Sequence, residues 1–232
     1  MTPARSTTTP STEPLLNKIL DTLGMEIISG TIAAGRTFTL SDLSTRFGIS
    51  RTVAREVMRA LEQLGLVVPS RRIGIKVLPS SHWNVFDQAV IDWRWRTDTD
   101  RQLRELSELR YSVEPIAAAL AATKASEDEG ASLVHIAKEM IELAEAGASE
   151  EFLALDIKFH TLILNASRNE MFGALAPSIL HALEGRTRYG HRDSIPLEDS
   201  VRAHLTLAEA IVARDGARAE RASREVMADI AP

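Results

Sequence analysis

SDLSTRFGISRTVAREVMRALEQLG, Ser41 to Gly65, reads as two short helices joined by a tight corner. Ser41 is placed as the N-cap of the first, and Leu43 and Phe47 fall four apart on one face. Gly48 stands where a helix ends in a left-handed residue. Ile49 packs in the corner, and Ser50 offers a second N-cap. In the second helix Val53, Ala54, Val57, Leu61 and Leu64 form an apolar stripe, with Arg51, Arg55, Arg59 and Glu62 opposite. The planar fork of arginine fits the acceptor pair of guanine, and the first turns of a helix are what reach base edges in a major groove. A helical pair with a merely solvated charged face would look the same from these residues alone.

The next residues separate those readings. Leu66-Val67-Val68 is a short apolar run, and Pro69-Ser70-Arg71-Arg72 is a basic turn. Ile73, Ile75 and Val77 then alternate as one face of a strand, with Gly74 between them. Together these are a two-stranded hairpin with arginines at its tip, the wing of a winged helix. Upstream, Leu15 to Ser29 is expected to be an amphipathic helix burying Leu16, Ile19, Leu20, Leu23 and Ile27. Arg36 to Leu40 is expected to supply a first strand.

In order, GTIAAG, SDLSTRFGISRTVAREVMRALEQLGLV and RRIGIKV resemble the DNA-binding domain of the GntR family of bacterial transcription regulators. The resemblance covers residues ~15–78. Ala34 stands where the family usually has proline, and Val53 replaces a proline often found in the recognition helix. The resemblance implies double-stranded operator DNA as partner. The expected contacts are Ser50, Arg51, Thr52, Arg55 and Arg59 on the helix, with Arg71, Arg72 and Gly74 at the wing.

The chain has 232 residues, room for two modest domains with separate cores. It has no cysteine, which excludes disulfides and thiolate metal sites and fits a reducing cytoplasm. No apolar run is long enough to span a membrane. Residues 1–14, rich in Thr, Ser and Pro, read as a disordered tail rather than a signal peptide. The net charge of −5 divides unevenly: ten basic against six acidic residues in 1–80, seventeen against twenty-six in 81–232. A basic domain facing phosphate beside an acidic one that does not would produce this split.

The sequence therefore predicts a mainly α protein: a winged helix-turn-helix domain over 15–79 and an all-α bundle of about six or seven helices over 80–232. Pro79-Ser80-Ser81 marks the junction. A helix is expected to begin at Trp83, and the three tryptophans, Trp83, Trp93 and Trp95, to bury the joint. Further helices are expected over about 100–124, 127–147, 150–167, 169–189, 197–214 and 216–230. Three stretches, LSELRYSVEPIAAALAA, LDIKFHTLILNASRN and VRAHLTLAEAIVARDGARA, resemble the FCD effector domain of the FadR-type branch of the same family.

Asp156 and His160 lie one helical turn apart on an apolar stripe, and His204 occupies the same kind of position on another helix. A carboxylate and two imidazoles on facing helices can form an interior metal site, or simply a hydrogen-bonded core network. The FCD resemblance implies a divalent metal, zinc or nickel, on Asp156, His160 and His204. The family's fourth ligand position falls on Val226, and His181 and Asp229 are the available substitutes. Arg110 interrupts another apolar stripe. It pairs internally with Glu114 or, as the resemblance implies, receives a carboxylate effector together with Asp156, His160 and His204. The function expected is a cytoplasmic homodimeric repressor of a catabolic operon, controlled by a small carboxylate such as a sugar acid. WNVFDQAVIDWRW resembles the linker of members that respond to sugar acids. The alternative is a metal-dependent enzyme using Asp156, His160 and His204.

Overall fold

A computed structural model describes residues 15–71, 74–188 and 198–228. The expected tail, residues 1–14, lies outside them. By packing, the chain divides into two units, one ending at Val85 and the other beginning at Phe86.

In the first unit, α1 (Leu15–Ile28) buries Ile19, Leu23 and Ile27, one residue per turn along one face. α2 (Leu40–Phe47) and α3 (Arg51–Gln63) form the expected pair. The cap of α2 is Thr39, not Ser41. Thr39 Oγ1 accepts from the Asp42 amide and Asp42 Oδ2 accepts from the Thr39 amide, a reciprocal capping box that places Ser41 inside the first turn. The same cap shortens the first strand, β1, to Thr37–Phe38, because Leu40 is already helical. At Gly48 the backbone turns left-handed (φ 64°), which a side chain would resist, and Ser50 Oγ then accepts from the Val53 amide to start α3. Ala54, Val57 and Leu61 seat α3 on the core.

β2 (Val67–Ser70) and β3 (Gly74–Val77) are antiparallel, and β1 pairs with the other edge of β3, giving the order β1-β3-β2. Ile75 and Val77 face inward while Lys76 is exposed, the alternation of a half-buried strand. Gly74 (φ 100°) has a sheet role. A Cβ there would meet the Phe38 carbonyl oxygen at 2.5 Å and push β1 off its partner.

The second unit contains seven helices among its described residues: α4 (Gln88–Thr97), α5 (Thr99–Lys124), α6 (Glu127–Ala146), α7 (Ser149–Ala166), α8 (Glu170–Arg188), α9 (Glu198–Val212) and α10 (Gly216–Val226). α4 begins later than the apolar pattern predicts. Ser80–His82 is a single 3-10 turn, and Asp87, whose carboxylate accepts from the Ala89 amide, is the cap that sets the start. Trp83, in the first unit, donates to the Leu78 carbonyl. Trp95 is fully buried in the second unit with Ile91 and Leu106, against Gly185 of α8. Ala117, Ala118, Ala121 and Ala122 present a small-residue face on α5, against which α9 and α10 pack. Phe152, Phe159, Leu164, Ile179 and Leu207 fill the core, each buried aromatic or aliphatic side chain stabilising it by roughly 1.5–3 kcal/mol.

Candidate functional site

Each unit carries one concentration of chemistry. On the first, Arg51, Thr52, Arg55 and Arg59 are exposed along α3, opposite its buried stripe, and Arg71 is exposed at the turn after β2. Among the described residues none of these arginines forms an ion pair, whereas Arg46 on α2 is bound bidentately by Glu26. A row of unpaired guanidiniums that starts at the first turn of a capped helix suits a polyanion with readable edges. Ser50 is occupied in capping, and Gly74 serves the sheet. Arg72 lies outside the described residues.

The second unit holds a buried polar chain in the middle of its apolar core. Arg110 and Glu114, one turn apart on α5, pair through Arg110 Nε and Glu114 Oε1 at 2.6 Å. The other oxygen of Glu114 lies 2.7 Å from His160 Nδ1. His160 Nε2 lies 3.2 Å from Asp156 Oδ1, and His204 Nε2, from α9, lies 3.1 Å from the same oxygen. His204 Nδ1 faces the Ser200 carbonyl at 2.8 Å. All five side chains are no more than 8% exposed. Phe159 closes one side, its ring edge-on to both imidazoles at 5.6 and 5.2 Å.

The hydrogen-bond roles follow from the partners. Ser200 O only accepts, so His204 carries a proton on Nδ1. Glu114 is an anion, so His160 carries one on Nδ1 as well. Both Nε2 atoms then converge on Asp156 Oδ1, and the three residues each offer a ligand atom within 4.8 Å of the others. Three electron-rich atoms cannot face one another in an apolar core without positive charge between them. In the metal-free protein protons supply it. Burial alone would lower the His160 pKa, but the Glu114 charge and the bond to Asp156 raise it to about 9. Burial opposes ionisation of Glu114 too, yet Arg110 and His160 hold it down at about 2. Asp156 is likewise kept well below the usual carboxylate range, by hydrogen bonds from His160 and His204 that outweigh burial. A divalent cation bound by Asp156, His160 and His204 would replace those protons on Nε2. The donor set, one carboxylate and two imidazoles whose outer nitrogens are already engaged, fits zinc or nickel.

Asp156, His160 and His204 are thus brought together as the spacing predicts. The internal pairing of Arg110 with Glu114 is the arrangement observed. Val226 is buried beside α9, its carbonyl accepting from Ser200 Oγ. His181 is engaged elsewhere, between Asp92 at 2.8 Å and Glu184 at 2.9 Å, and Asp229 lies outside the described residues. Sequence reasoning placed Glu114 only as a partner of Arg110, and its contact with His160 is what it missed. The signal for Glu114 was its place one turn after a buried arginine.

Comparison with known proteins gives two family matches, "Bacterial regulatory proteins, gntR family" over residues 15–77 and "FCD domain" over residues 105–229. The chain is 31% identical to the galactonate operon transcriptional repressor of Escherichia coli, over 91% of this chain and 93% of that protein. It is 30% identical to the uncharacterised HTH-type transcriptional regulator YieP of the same species, over 85% of this chain and 84% of that protein. A solved structure of a Streptococcus agalactiae GntR protein shares the fold, with a TM-score of 0.53 at 22% identity, over 93% of this chain and 98% of that one. These comparisons give no support to the enzyme alternative.

The direction of the His160 shift sets a pH dependence. The folded value, about 9, lies above the ordinary 6.5, so the stabilisation it brings is complete below pH 6.5 and is lost as pH rises through 9. In chelator-treated protein, the melting-temperature gap between wild type and His160→Gln is expected to be constant below pH 6.5 and to shrink toward pH 9. A gap that widens over that range contradicts the assigned hydrogen bonds.

Proposed function

The chain belongs to the GntR family of bacterial regulators and carries an FCD domain, and from that premise we propose a homodimeric repressor of a catabolic operon, released from its operator by a small hydroxy-carboxylate of the sugar-acid class. It is a DNA-binding transcriptional regulator, not an enzyme. A cytoplasmic location goes with that role, and no described helix is long and apolar enough to cross a membrane. One recognition helix covers too few base pairs for useful specificity, which favours two copies on a palindromic site.

The observation that carries the effector reading is the convergence of Asp156 Oδ1, His160 Nε2 and His204 Nε2 in the unit that matches the FCD domain. Three ligands leave a divalent ion with open positions, and Val226 adds no donor to them. A hydroxy-carboxylate chelates such an ion through its carboxylate and a neighbouring hydroxyl. Arg110, with one ion and the two carboxylates, leaves the cluster a net positive charge that favours an anionic ligand. The galactonate repressor, similar along almost the whole chain, is the reason sugar acids come first.

Two outcomes follow for the full chain. Alanine at Arg51 or Arg55 is expected to cost ~1–3 kcal/mol in operator affinity and to relax specificity locally, whereas Arg71→Ala weakens all sequences alike and flattens the salt dependence. Gel-shift titrations at two salt concentrations measure this, and unchanged affinity in both α3 variants contradicts base readout. Calorimetry of chelator-treated protein is expected to show weak zinc or nickel binding alone and tighter binding with a sugar acid present. Effector affinity must then fall by the same factor when metal is stripped. Equal effector binding to stripped protein and to His160→Ala would reduce the cluster to a core network.

A further inference from the structure

The two imidazoles of the cluster are held in different ways. His204 turns its Nδ1 to the carbonyl of Ser200, one turn back on its own helix. His160 turns its Nδ1 to a carboxylate on another helix, Glu114 of α5, at 2.7 Å. Glu114 is in turn gripped by Arg110, through Nε at 2.6 Å and Nη2 at 3.4 Å. We propose that Glu114 is a positioning residue of the metal centre, fixing the His160 ring with Nε2 aimed at the ion, and that Arg110 acts on that centre through Glu114. The inference rests on the metal reading proposed above.

An imidazole ligates through one nitrogen only when the other is protonated and the ring plane is set. A carboxylate partner does both, and it makes the ring a stronger donor than a carbonyl partner does. Glu114 could not hold that position as an unpaired anion, since its side chain is 2% exposed and isolated carboxylates are not tolerated in apolar cores. Arg110 supplies the countercharge. The order α5 guanidinium, α5 carboxylate, α7 imidazole, shared cation is therefore a single relay of orientation.

The test is zinc affinity without any effector, measured by calorimetry on chelator-treated full-length wild type, Glu114→Gln, Arg110→Gln and the double variant. A residue that only met the effector would leave these values unchanged. Each single substitution is expected to weaken zinc binding about 10–100-fold, with the double variant no worse than the weaker single one. Wild-type zinc binding in Glu114→Gln overturns the proposal while leaving the metal reading intact; no zinc binding by wild type overturns both. Should the variants fail to fold, long-range proton–nitrogen spectra of the zinc-loaded wild type decide. The expected ring state at His160 is a proton on Nδ1 and zinc on Nε2. The reverse arrangement overturns the proposal.

Discussion

Arg110, Glu114, His160, Asp156 and His204 sit in the middle of an apolar bundle, and each is tolerable there because its neighbour bears the complementary charge or donor. Removing one member strands the next, at a cost of roughly 3–5 kcal/mol for a broken buried pair. The chain joins α5, α7 and α9, so their register is tied to the geometry of the charges. Alanines on α5 let the neighbouring helices come close, and Phe159 shields both imidazoles. Packing around the cluster keeps it dry, and dryness makes a shared cation or an equivalent set of protons necessary.

The DNA-binding unit works on the opposite principle. The arginines of its α3 are placed where nothing in the described chain neutralises them. Arg46 shows that the fold does pair arginines where a carboxylate is at hand, in its case Glu26. The contrast between a paired arginine on α2 and unpaired ones on α3 is what the proposed contact of α3 with DNA calls for. It also gives meaning to the charge split between the two halves of the sequence.

Features set by local chemistry were legible in the sequence. The corner at Gly48, the cap at Ser50 and the alternation of Ile75 and Val77 each depend on residues close in the chain, and the helix-turn-helix and wing followed from them. Asp156 and His160 were legible for the same reason, being one turn apart. Where two local signals competed, the reading erred. Ser41 and Thr39 are both good caps, and only Thr39 has Asp42 placed to reciprocate. Trp83 begins an apolar pattern, yet Asp87 holds the capping carboxylate. The contact of Glu114 with His160 depends on how α5 and α7 pack, which no local spacing encodes. The i,i+4 pair with Arg110 was visible. That the pair reaches on to an imidazole was not.

A cation centre inside the helical unit is what the effector reading depends on. It is tested most directly by diffraction from crystals of the zinc-loaded protein, with data collected on both sides of the zinc absorption edge. The expected result is one anomalous peak per chain inside the second unit, about 2.0–2.2 Å from an Asp156 carboxylate oxygen and from Nε2 of His160 and His204. Absence of that peak, with both imidazoles still at hydrogen-bond distance from Asp156, would contradict the account and leave the cluster a proton-stabilised core network.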